Sequence, residues 1–73
     1  MSYKLQSIAE NLEASGRDIL TARTNIRNMI DALRQVQDMP ELGKLDEITN
    51  MMEVTYNELS NVCVRLRQLS GGS

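Results

Sequence analysis

No histidine, tryptophan or phenylalanine occurs in this chain, and cysteine and proline occur once each. The missing histidine removes the commonest general base and metal ligand. It also removes the Glu-x-x-His motif that a di-iron helical bundle requires. A single cysteine, Cys63, excludes an internal disulfide framework. Flanked by Val62 and Val64, it is expected to be partly buried and structural rather than nucleophilic. Glu10, Glu13, Asp46, Glu47, Glu53 and Glu58 stand at no ligand spacing and read as a solvated face. Gly71-Gly72 precedes no helix, so no phosphate-cradling loop is present. The expectation is a non-enzyme with no catalytic residue, no metal site and no cofactor.

Charge of one sign is lacking too. Eight Lys and Arg against ten Asp and Glu leave a formal charge of −2, which favours neither nucleic acid nor an anionic membrane. The one basic cluster is Arg17, Arg23, Arg27 and Arg34, but Asp31 and Asp38 lie four residues beyond Arg27 and Arg34 and neutralise it. With Tyr3 and Tyr56 as the only aromatics, stacking on bases is poor. No window approaches 18 uninterrupted apolar residues, and Met1-Ser2-Tyr3-Lys4 has no apolar signal core. A soluble, cytoplasmic protein without membrane insertion is expected.

What the chain has is a heptad. Leu5, Leu12, Ile19, Ile26 and Leu33 occupy a positions, and Ile8, Ser15, Ala22, Met29 and Val36 occupy d positions. A repeat of 3.5 residues sets a long helix against a partner helix. The phase crosses Gly16 unbroken, which predicts one continuous helix over about residues 3–38 with Ser2 as its N-cap. Asp38-Met39-Pro40-Glu41 stops it, because proline lacks the amide donor and disfavours a helical residue before it. Asp38 and Glu41 are spaced as a capping box, and a turn is expected over about 39–43. The heptad resumes over about 44–69, with Leu45, Met52, Leu59 and Leu66 at a and Ile48, Thr55, Val62 and Leu69 at d. Residues 70–73 read as a tail, either native or an appended linker.

A short turn makes the two helices antiparallel, and a-to-d pairing of Val36 with Leu45 sets a register. Met29 then meets Met52, Ala22 meets Leu59, and Asp18 comes opposite Arg65. On the e side Gly16 faces Cys63, Arg23 faces Tyr56 and Ile30 faces Thr49. This register leaves Leu5 and Ile8 overhanging, and leaves an apolar stripe along the e side. The expected partner interface is therefore Leu5, Ile8, Ala9, Gly16, Leu20, Arg23, Ile30, Tyr56 and Cys63. A charge at Ile30 should then weaken association and leave the hairpin seam intact.

The fold class expected is all-α: an antiparallel coiled-coil hairpin in one domain, assembling into a four-helix bundle with itself or a helical segment of a larger protein. One thin hairpin has little core, so a partner should supply stability. The corresponding function is a non-catalytic protein–protein interaction module, an adaptor or co-chaperone subunit. The alternative is a small dimeric regulator of structured RNA, whose affinity would fall steeply with salt. A fragment of a longer coiled coil is a third possibility.

Overall fold

In a computed structural model describing residues 2–71, the chain forms two helices, α1 over Ser2–Val36 and α2 over Glu41–Gly71. Side chains are described from Tyr3 onward, so the expected Ser2 cap lies outside the described side chains, as do Gly72 and Ser73 of the expected tail, whereas Ser70 and Gly71, also expected in the tail, belong to α2. The helices pack against each other along their length as a two-helix hairpin, with Cα extents of 55 × 14 × 10 Å. α1 runs through Gly16 without a break, as the unbroken phase predicts.

The turn is shorter than expected. It spans residues 37–40, and α2 begins three residues earlier than the heptad suggests. Gln37 N–H closes α1 on Leu33 O at 2.8 Å. At the other end Leu42 N–H donates to Met39 O and Gly43 N–H to Pro40 O, both at 3.2 Å. These tight i−3 bonds let α2 start directly after Pro40, whose missing amide hydrogen costs nothing at a helix entry. Backbone carbonyls thus close the first turn, and among the described residues no bond to the Asp38 carboxylate replaces them.

With α1 ending at Val36 and α2 starting at Glu41, the turn lies two to three residues earlier in the chain than expected, and this slides α2 along α1. Cys63 Sγ donates to Ala9 O at 3.5 Å, and a β-carbon at Gly16 would lie 3.4 Å from the Tyr56 ring. In both pairs the residue numbers add to 72, so Gly16 faces Tyr56 and not Cys63. The displacement from the expected e-side pairing is one heptad, about 10 Å of helix. Leu69 then stands level with Tyr3, and no overhang is left at Leu5 and Ile8.

The seam itself is rotated as well. The fully buried described residues are Ala9, Gly16, Ile30, Leu42, Thr49 and Cys63, and every one falls in an e column. All nine a residues are half-buried. Of the d residues, expected to form the seam, only Ala22 is half-buried, and Val36 is 82% exposed. The a-to-d pairing is therefore corrected to a seam centred on e against e. Its physical basis is size: Ala9, Gly16 and Thr49 are small enough to let the two backbones approach closely. Thr49 satisfies its buried hydroxyl locally, donating to Asp46 O at 2.8 Å.

Two glycines offer a direct test of this packing. Neither Gly16 nor Gly43 has positive φ, Gly43 meets no atom within 4 Å, and the 3.4 Å contact at Gly16 is ordinary van der Waals distance. Gly16→Ala and Gly43→Ala should each stabilise the protein by up to about 1 kcal/mol through helix propensity. The check is the urea midpoint. A lower midpoint for Gly16→Ala would mean the seam admits no added methyl.

Candidate partner interface

The hairpin is a ribbon one helix thick, and its two broad faces differ. On one side of the e/e seam lie the b columns, which together with Arg23 of the e column carry the interhelical ion pairs. Arg67 meets Glu13 at 2.6 Å, Arg34 meets Asp46 at 2.8 Å, and Arg23 reaches Glu53 at 3.1 Å. Glu13 with Arg67 and Arg34 with Asp46 have numbers adding to 80, which is the seam register read four residues further along each helix. The side-chain hydrogen bond and charge of Glu13 hold the Arg67 guanidinium above its ordinary value. The expected Asp18–Arg65 pair does not form, nor does Arg23 need the Tyr56 ring, since Glu53 is its partner. Arg23 Nε, by contrast, is buried and without a hydrogen-bond partner.

In each pair at least one side chain is 40% exposed or more, so water screens the attraction and each should contribute little to stability. Glu13→Gln is accordingly expected to shift the thermal midpoint by no more than a few degrees. A larger loss would place far more of the hairpin's stability on that pair than its exposure allows.

The opposite face is apolar and open. On a helical wheel the e column points at the sister helix, a lies beside it, and d stands about 100° from e, perpendicular to the ribbon. That face consequently presents Ile8, Met29 and Val36 from α1 and Ile48, Val62 and Leu69 from α2. Between the helices it opens a groove of about 330 Å³ lined by Ile19, Ile48, Met51, Met52 and Thr55. The half-buried a residues form its floor.

The nine residues expected at the partner interface are divided by this arrangement. Ala9, Gly16, Ile30 and Cys63 are buried between the chain's own helices and present no surface to a partner. Arg23 and Tyr56 are half-buried in the same seam. The e-side stripe is thus the hairpin's internal contact, a correction that follows from the small residues in that column. Leu20 is half-buried on the ion-pair side. Leu5 and Ile8 alone lie on the open face, Leu5 half-buried and Ile8 exposed. The residues missed are the d residues from Met29 to Leu69, together with Met51. Their signal is the heptad itself, whose d column reads equally as a seam within the chain.

Among the described residues no three His, Cys, Asp or Glu side chains converge as a metal site, and no helix is long and apolar enough to cross a membrane. Cys63 is buried and free of any disulfide. Comparison with protein-family models, with characterised proteins and with solved structures gave no match, so the open apolar face is the feature on which a functional reading must rest.

Proposed function

We propose that this chain is a non-catalytic interaction module of the cytoplasm, a small adaptor or co-chaperone subunit that works by completing a helical bundle. The observation that supports this is the open d-column face, which exposes Ile8, Met29, Val36, Ile48, Val62 and Leu69 and is interrupted by Ser15 and Thr55. An apolar stripe of this length is costly to leave in water, and helices of a partner would cover it as they cover the core of a bundle. Mechanistically, the e/e seam builds a flat ribbon first, and the ribbon then offers a prealigned two-helix surface. Less ordering is left for the moment of binding.

The alternative, a regulator of structured RNA, has less to recommend it. Arg23 and Arg34 are engaged by Glu53 and Asp46, which leaves Arg17 and Arg27 as the rest of the basic cluster. Two guanidinium groups give little affinity for phosphate at physiological salt.

The test compares tagged wild-type chain with an Ile48→Lys, Val62→Lys variant in extracts of cells that express the protein. Whatever helical protein the wild type retains, an untagged copy of itself included, should be lost from the variant. Arg17→Glu on the opposite face should retain it. Equal retention by all three chains would overturn the reading.

A further inference from the structure

We infer that the occupant of the open face is a second copy of the chain, laid face to face about a two-fold axis perpendicular to the hairpin, with the two turns at opposite ends. The inference rests on the reading of the d face as the docking surface and adds its partner and geometry.

Area is the first argument. The chain exposes 5471 Å², whereas a compact monomer of its mass exposes about 4,500 Å². The excess, about 900 Å², matches the ~800 Å² that each partner buries in a standard interface. A ribbon 10 Å thick in its Cα trace becomes a two-by-two bundle when one copy is laid on another.

Shape is the second. With the seam register of 72, the nearest d residues across the ribbon are Ile8 and Val62, Ser15 and Thr55, and Ala22 and Ile48, each pair adding to 70 and so about 3 Å off level, with Met29 beside the start of α2. The small residues are thus central and the bulk lies toward both ends. A two-fold axis through the centre, near Asp18 of α1 and Met51 of α2, sets Ser15 against Ala22 and Ile8 against Met29 of the other copy. On α2 it sets Thr55 against Ile48. On α1 small residues then meet small ones near the axis and bulky residues meet bulky ones toward the ends, so facing side chains are matched in size.

Charge is the third, and it chooses between the two possible axes. The exposed residues at the edge of the face on α2 are Lys44, Glu58 and Arg65, with Glu41 at the helix start, and none is ion-paired among the described residues. Turns at opposite ends bring Lys44 level with Glu58 of the other copy, and Arg65 within a turn of Glu41. Turns at the same end would instead set Lys4 beside Arg65, a like-charge contact that disfavours that pairing. The chosen axis also brings Asp18 close to its own symmetry mate, a repulsion that limits affinity.

The experiment uses the whole purified chain. Sedimentation across a micromolar to submicromolar series should show a reversible dimer that remains helical throughout. In a Cys63→Ala background, Met51→Cys should form a disulfide-linked dimer on oxidation, because residue 51 faces its own copy. Arg17→Cys, on the opposite face, should not. Asp18→Asn should tighten the dimer by about fivefold. A helical monomer at every concentration would overturn the second copy as occupant. If that monomer still bound a different protein through Ile48 and Val62, the interaction reading would survive while this inference failed. Cross-linking at Arg17→Cys equal to that at Met51→Cys would overturn the face. Linkage of a Lys4→Cys chain to an Arg65→Cys chain would overturn the axis.

Discussion

Ile30→Asp should abolish cooperative unfolding of this protein, while Met29→Asp, one residue earlier, should leave a folded hairpin. Ile30 is 2% exposed in the e/e seam and Met29 is 60% exposed on the open face. Removing a buried isoleucine side chain costs about 2–5 kcal/mol. The carboxylate adds the cost of burying a charge in the seam. Together these exceed what a hairpin with so thin a core can supply. Met29→Asp replaces an exposed side chain and removes no seam contact. Its effect should be confined to the part of the stability that depends on protein concentration. The check is urea unfolding followed by circular dichroism at two concentrations. The seam assignment fails if the two variants behave alike, or if Met29→Asp is the one that unfolds.

The second large effect is on assembly. Ile48→Lys combined with Val62→Lys should weaken association by at least about 100-fold, since each lost side chain contributes roughly 1.5–3 kcal/mol of burial in a covered face. Both residues are close to half exposed in the hairpin, at 44% and 48%, so lysine can extend its ammonium into water without disturbing the seam. Helicity at high concentration should persist while the sedimenting mass falls to that of one chain. If the mass were unchanged, the open face would not be where the chain associates. Loss of helicity at every concentration would mean that Ile48 and Val62 hold the hairpin together, contrary to their exposure.

Both predictions turn on a distinction that periodicity alone cannot draw. The heptad displays a wide apolar stripe in which d, a and e columns adjoin, spanning about 100° of the helix. Any two-helix packing within that stripe satisfies the pattern. Reading a against d is the natural choice for an isolated coiled coil, because those columns hold the larger side chains. The chain instead joins its helices through Ala9, Gly16, Thr49 and Cys63, where small volume permits close approach. Gly16 illustrates the difficulty: it reads as a helix weakness or as an exposed gap, and its place is against the Tyr56 ring. Ile30 was legible as apolar and off the a/d seam, yet nothing local says which neighbour covers it.

Composition and spacing were enough to determine the class and the outline. Two long helices, one break at Pro40, continuity through Gly16 and a surplus of apolar surface all follow from short-range chemistry: amide donors, proline sterics and the repeat of apolar side chains. The turn length, the register and the identity of the seam were decided by tertiary structure. They depend on how closely two backbones can approach and on where α2 starts, and a one-heptad slide leaves every periodicity unchanged. The same stripe therefore specifies both an inner contact and an outer face, and only the three-dimensional packing assigns e to the first and d to the second.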